Sequence, residues 1–374
     1  MIRMFNVHDI TRDSCMLRGH LRKQGYDWWW HSFTAHDALT GEEKPFFIEF
    51  FLCNPDLAKD IPVLGQLPDR PKPSYLMVKA GCWGEDHCQL HRFFAWKDVN
   101  VHMDAPYSVQ ADDCLACETK LKGSVHVTGS HRHPEWMCDD GDMSWDLTVD
   151  KQIAFNVGYG ASRPMRDAEA FDMYWHAEGM KTQYSGTVVC NGKTYTVTPE
   201  TSYGYADKNW GCDFTTPWVW LSSNHLFSRC RNEWLDNSVF DIGGGRPKIF
   251  HVALDRRLLG VFWYEGEEYD FNFSKLHLIV RTQFSFDEDE DAVYWHIRQE
   301  NIHAVMETEI ICQKKDMLWV NYEAPNGIKH FHRLWNGGNG QGTVRLYRKT
   351  ISGTELIDEV DAYNVGCEYG EYDE

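Results

Sequence analysis

Apolar and polar residues alternate with a period of two along much of the chain. In Met143-Ser-Trp145-Asp-Leu147-Thr-Val149-Asp150 every odd position is apolar and every even one polar, and Val293-Tyr-Trp295-His-Ile297-Arg and Tyr269-Asp-Phe271-Asn-Phe273 follow the same rule. Successive side chains of a strand point to opposite faces, so this pattern predicts strands with one buried face. Turn signals separate the runs: Asn191-Gly192, Gly243-Gly244-Gly245, the acidic stretch 287–291, Asn326-Gly327 and Gly337-Gly338-Asn339-Gly340. Asn-Gly between Val188-Val189 and Tyr195-Thr-Val197 predicts a hairpin, because both residues of a tight hairpin turn need positive φ. One short helix is expected, around 165–174, and the proline-rich stretch 61–73 reads as an exposed loop. Many short strands with turn-rich connections predict an all-β chain of barrels or sandwiches. A division is expected near residue 200, where the Tyr195 hairpin ends at Pro199, giving β domains at 1–199 and 200–374.

Composition sharpens this picture in three ways. Aromatic residues make up 14 % of the 374, with 16 tryptophans. Rings favour strands and bury large areas, so a wide, aromatic-walled interior is expected. The net charge of −19 has no local cluster of Lys and Arg to offset it. Such a chain repels phosphates and anionic bilayers, which argues against nucleic acid and membrane-surface partners. No run reaches the roughly 18 apolar residues of a spanning helix, so membrane insertion is not expected. Met1-Ile-Arg-Met-Phe-Asn followed by His8 and Asp9 lacks the apolar core of a secretory signal. A cytoplasmic location is therefore expected, with the twelve scattered cysteines reduced and mostly buried.

The most informative segment is Tyr205-Ala-Asp207-Lys208-Asn209-Trp210-Gly211-Cys-Asp-Phe214-Thr-Thr-Pro217-Trp218-Val-Trp220-Leu-Ser-Ser-Asn224. It resembles the signature of the tocopherol cyclase family: Tyr, any residue, an acid, Lys-Asn-Trp-Gly, then Phe, Trp-x-Trp and Asn. The preceding 186–195 hairpin is similar to the one before that signature. Two departures are visible. Asp207 stands where glutamate is usual, which shortens the reach of the acid, and the proline after Phe214 is displaced to Pro217. The resemblance implies two lipocalin-like β domains packed together. Fold relatives include carotenoid hydratases and cyclisation catalysts, so fold alone does not assign an activity.

Read from the residues themselves, an extended 203–210 segment puts Tyr203, Tyr205, Asp207 and Asn209 on one face and Lys208 and Trp210 on the other. In the next strand Trp218, Trp220, Ser222 and Asn224 share a face, so two neighbouring strands can present a Tyr, an acid, amides and two indoles to one cavity. The competing reading is a structural corner, with Asp207 and Asn209 capping a turn and Lys208 paired at the surface. Glu49 lies within Phe46-Phe47-Ile48-Glu49-Phe50-Phe51, apolar on both sides. Burial there raises a carboxyl's pKa and suits a proton donor, unless a buried arginine pairs with it or it lies near a barrel mouth. Trp28 and Trp30 share a face with Tyr26, either as core packing or as a wall whose ring faces stabilise a cation.

Other chemistries have weaker patterns. Cys114-Leu-Ala-Cys117 has ligand spacing, and His87, Cys88, His91, His131, His133 and Cys138 supply further donors, but a strong zinc pattern pairs two such motifs. No metal is expected. There is no nucleophile elbow, Walker loop or dinucleotide fingerprint, and the Gly243 run precedes Arg246-Pro247 rather than opening a helix. The expected function is cyclisation, isomerisation or hydration of a small hydrophobic molecule, isoprenoid- or polyketide-like. Asp207 or Glu49 would serve as acid, and Tyr205, Asn209, Trp210, Trp218, Trp220, Asn224, Trp28 and Trp30 would bind substrate. No cofactor is needed for proton transfer to a folded substrate. A non-catalytic lipocalin-like carrier needs the same cavity without the acid, and a carbohydrate-active protein would place its rings over an open groove.

Overall fold

In a computed structural model, the protein is described at residues 8–65, 71–129, 138–156, 168, 170–250, 252–253, 255–328 and 330–371. The architecture is all-β. Helix among the described residues is confined to short 3-10 turns such as Ile10–Arg12 and Gly19–Arg22. The alternating runs are strands with the expected buried face: in Gly141–Phe155 the residues Met143, Trp145, Leu147 and Val149 are buried while Asp146, Thr148 and Asp150 are exposed. The Asn191-Gly192 hairpin joins Met173–Cys190 to Lys193–Val197, with φ of 48° and 80° at its two turn residues.

Among the described residues, two antiparallel sheets of twelve strands each organise the chain. The first runs in the order Cys88–Phe94, Tyr75–Cys82, Glu43–Cys53, Tyr26–Asp37, Lys193–Val197, Met173–Cys190, Gly141–Phe155, Lys120–Val127, Cys114–Cys117, Ser108–Ala111 and Asn100–His102. It curls so that its leading strands pack near Lys120–Val127 and Gly141–Phe155. The path of the second is Glu267–Asp270, Arg257–Tyr264, Val239–Gly245, Trp218–Ser223, Gly353–Gly370, His330–Thr350, Ala304–Gln313, Ala292–Glu300 and Arg281–Glu288. One apolar core, including Trp29, Phe50, Leu90 and Trp145, is built from the first sheet and the segment leading into it. Another, including Leu221, Phe240, Trp295 and Val344, is built from the second sheet and its connections. The third lies between them and takes Trp28, Trp30 and Trp175 from the first, and Trp218, Trp220, Trp263 and Tyr322 from the second. The result is two lipocalin-like units packed together through a shared aromatic layer.

The sheet changes between Gly211 and Trp218, so Gly204–Gly211, which lies beyond the division expected at residue 199, pairs with the first sheet. It hydrogen-bonds to both Tyr26–Asp37 and Met173–Cys190 and is buried along its whole length. Several expectations need correction. The Gly243 and Gly337 runs are not turns but parts of the strands Val239–Gly245 and His330–Thr350. A Cβ on Gly243 would lie 2.8 Å from the Trp175 ring, and one on Gly338 2.3 Å from the Trp83 ring. Glycine in these strands marks a close approach by an indole rather than a chain reversal. The strand near Tyr269 ends at Asp270, short of Phe273. Of the helix expected at 165–174, residues 165–167 and 169 lie outside the described residues, and the rest leads through a bridge at Phe171 into the strand Met173–Cys190. In the 61–73 loop, Val63 bridges to Ser74, and residues 66–70 lie outside the described residues.

The side chains of Gly204–Gly211 alternate across two cores. Lys208 is not at the surface. Its ammonium is fully buried 2.7 Å from Asp27 Oδ1, 4.8 Å from the Trp29 ring centroid and 4.6 Å from that of Trp210. Asp27 also accepts from the Met16 amide at 2.6 Å. Removing one partner of a buried ion pair typically costs about 3–5 kcal/mol, because the other charge is stranded. Lys208→Met should therefore lower stability by about that amount in equilibrium denaturation. The double change Lys208→Met with Asp27→Asn, which keeps an acceptor for Met16, should recover a large part of it.

Candidate functional site

Strand alternation turns Tyr205, Asp207 and Asn209 toward the layer between the units, as the face assignment requires. Register puts Trp30 directly opposite Asp207 and Trp28 opposite Asn209. Asp207 is buried, and its Oδ2 accepts from the Trp175 indole N–H at 2.7 Å and from the Tyr205 hydroxyl at 3.2 Å. The same hydroxyl lies 3.3 Å from Oδ2 of Asp241, a fully buried carboxyl on Val239–Gly245. Two acids thus share one phenol across the boundary between the sheets. Burial is the largest influence on both. It pushes the Asp207 carboxyl up to about 8 against the opposing indole hydrogen bond, and it holds Asp241 well above the usual carboxylate range, with the charge of Asp207 adding to the effect.

Asp207 Oδ1 is buried and makes no hydrogen bond among the described residues, and neither do Trp30 Nε1 and Asn209 Nδ2 on the same face. Buried polar atoms are nearly always paired, so an unpaired set is a place where a bound molecule gains hydrogen bonds. A neutral Asp207 whose Oδ2 accepts two hydrogen bonds carries its proton on this open Oδ1. Next to it, Glu368 accepts from Trp218 Nε1 at 2.6 Å and holds Asn336 through its other oxygen. Burial brings this carboxyl up to about 7. The indoles of Trp175 and Trp218 meet edge to face, 6.5 Å between centroids. Both rings also line a small apolar cleft, together with Met173, Phe214, Leu259 and Phe273. The cleft therefore ends on two indoles whose N–H groups are bonded to the acids behind them.

The remaining expected residues divide. Trp28 stacks on Tyr322 at 5.1 Å and Trp30 on Phe47 at 5.2 Å, both in the shared layer. Trp220 packs on the Tyr205 ring at 4.9 Å. Asn209 accepts from the Tyr26 hydroxyl at 2.7 Å. Glu49 is fully buried, but Lys79 Nζ lies 2.8 Å from it and also over the Tyr322 ring. Burial raises the Glu49 carboxyl and the Lys79 charge opposes that rise, so Glu49 is ion-paired, with a lysine where an arginine was expected. Two residues lie elsewhere. Trp210 faces the core of the first unit, stacked on Tyr174 at 5.3 Å. Asn224 follows the end of Trp218–Ser223 and donates to the Met180 and Gly204 carbonyls, both at 2.9 Å, beside a separate surface cavity with Tyr203 and Trp234. The strand stops one residue too early to carry Asn224 onto the Trp218 face.

The pattern reading missed Asp241, Glu368, Trp175 and Lys79. Asp241 carries the same mark as Glu49, an acid inside the apolar run Val239-Phe-Asp-Ile242, but the glycines after it suggested a turn.

Comparison with known proteins places the chain. No curated protein matches it. Among solved structures, a protein described as AttH from Nitrosomonas europaea is 14 % identical, with 92 % of this chain and 94 % of that one covered, at a TM-score of 0.40. CghA is 13 % identical over 94 % of this chain and 89 % of its own, at 0.44, and CghA with Sch210972 gives 13 %, 93 %, 89 % and 0.43. These likenesses are distant, and the assignment rests on the residue match. The tocopherol cyclase-like family matches residues 140–371, well over half of the chain, a span that includes Trp175, Tyr205, Asp207, Trp218, Asp241 and Glu368 but not Trp28, Trp30 or Glu49. By this match the chain belongs to the tocopherol cyclase-like family.

Proposed function

We propose that the protein is an acid-assisted cyclase, or a related isomerase or hydratase, acting on an apolar isoprenoid- or polyketide-like substrate. The observation that carries this reading is the Asp207 carboxyl: buried, raised to about 8, with one oxygen held by Trp175 and Tyr205 and the other unpaired. In the proposed step the Asp207 O–H bond breaks and a C–H bond forms at an alkene carbon. The cation left behind lies among indole faces, which attract positive charge. An internal hydroxyl then closes a ring, or water adds, and the proton released returns to the Asp207 carboxylate. Asp241 positions Tyr205, while burial first, and then the charges of Glu368 and Glu49, keep the proton on Asp207 at neutral pH. Trp175, Trp218 and Phe214 line the cleft that would admit the apolar body of the substrate, and the Trp175 and Trp218 rings turn aside in this reading to let it reach Asp207 Oδ1 and the N–H groups of Asn209 and Trp30 behind them. Glu49, paired with Lys79, serves as a fixed charge buried in this layer. The protein is proposed to work in the cytoplasm, with its division into units at the change of sheet.

The first test is mass spectrometry of small molecules that co-purify with the chain, which supplies a substrate or product for assay. Asp207→Asn should then lower turnover by about 10²–10⁴-fold while ligand binding persists. Full activity in this variant would overturn the acid mechanism and favour the carrier. Glu49→Gln serves as the comparison and should cost far less in turnover.

The pH profile gives an independent check. A proton donor must be protonated when substrate arrives, so the rate should hold at neutral pH and fall as pH rises through about 8. The stability sign follows from the same shift. The folded carboxyl binds its proton more tightly than the unfolded one, with its ordinary value near 3.9, so this group's contribution is fully present below about 4 and is lost as pH rises to about 8. Asp207→Asn should flatten the loss between about pH 4 and pH 8 in thermal melts.

A further inference from the structure

Three cysteines with no part in the acid site converge at one place in the first unit. Cys82 ends the strand Tyr75–Cys82, Cys88 begins Cys88–Phe94, and the two are directly opposed across their hairpin. Cys190 ends Met173–Cys190, beside the Asn191-Gly192 turn. All three are buried, and their Sγ atoms lie within 4.8 Å of one another, with Cys82 and Cys88 at 3.7 Å. A tetrahedral ion with Zn–S bonds of about 2.3 Å holds its sulfurs about 3.8 Å apart. The Cys82–Cys88 separation is therefore that of two ligands on one ion, with Cys190 in place to be the third.

We propose that Cys82, Cys88 and Cys190 form a thiolate site for a soft divalent cation of the zinc class, with the fourth position taken by water. Charge supports the assignment. Three thiolates on a divalent ion leave one negative charge, and the Lys44 ammonium acts electrostatically on Cys82 and Cys190. The thiolate is the form that binds metal. This runs against the expectation of no metal, which rested on Cys114-x-x-Cys117 having no second such motif to pair with, although Cys88 was among the further donors weighed. Those two residues sit three apart on one strand, Cys114 buried and Cys117 only partly so, and they face opposite ways. The ligands proposed here are six residues and about a hundred residues apart, a spacing that no short motif contains.

The test uses the full chain, reduced and stripped of metal. Zinc alone, titrated against a chromophoric chelator, should be held at one equivalent. Cobalt(II) in its place should give sulfur-to-metal charge-transfer absorption that zinc abolishes. Cys190→Ser should weaken zinc binding by more than the roughly 10–100-fold typical of an outer-shell change, whereas Cys230→Ser, at an exposed thiol, should leave it unchanged. The cobalt spectrum of the unaltered chain keeps the proposal testable even if a cysteine variant fails to fold. Absence of zinc affinity in the reduced chain, a cobalt spectrum without thiolate absorption, or a Cys82–Cys88 disulfide forming in air in a chain that holds no zinc when reduced would each overturn it.

Discussion

The buried ion pair between Lys208 and Asp27 is the constraint on which the site depends. A strand buried on both faces has no solvent side to tell one register from the next, and a slip of one residue exchanges its faces. Lys208 opposes that slip: a shift of one residue would take its ammonium from between the Trp29 and Trp210 rings and strand the Asp27 carboxylate in the core of the first unit. With Lys208 committed to the first unit, Tyr205, Asp207 and Asn209 must face the second. The same register sets Trp30 beside Asp207.

Neighbours then separate the buried acids into two kinds. Asp27 and Glu49 each have a lysine within 2.8 Å and act as counter-charges. Asp207, Asp241 and Glu368 are held by neutral donors: indoles, a phenol and an amide. Neutral hydrogen bonds offset burial only in part, so these three titrate upward. Acids of one chemical type thus take different roles through their surroundings, which is how a carboxyl stays protonated near neutral pH.

The layer between the units is assembled from complementary sizes. Indoles of the first sheet press on glycines of the second: Trp175 on Gly243 and Trp83 on Gly338. Any side chain at those glycines would push the sheets apart and move Trp175 away from Asp207. The glycine runs and the tryptophans are therefore two halves of one interface, although in sequence the first look like turns and the second like general core.

How much was legible in the sequence follows from the range of each interaction. Period-two alternation, the Asn191-Gly192 hairpin and the opposite faces of Asp207 and Lys208 are local, set by backbone geometry over a few residues, and the chain alone determined them. So did the apolar surroundings of Glu49. The identity of its partner, Lys79, came from the neighbouring strand. Only the tertiary structure decided that Glu49 is paired while Asp207 is not, that Asp241 and Glu368 complete the acid cluster, that Trp210 and Asn224 fall outside it, and that Cys190 meets Cys82 and Cys88. Each of these depends on which strands become neighbours, often across more than a hundred residues, and a carboxyl or thiol takes its character from those neighbours rather than from its own place in the chain.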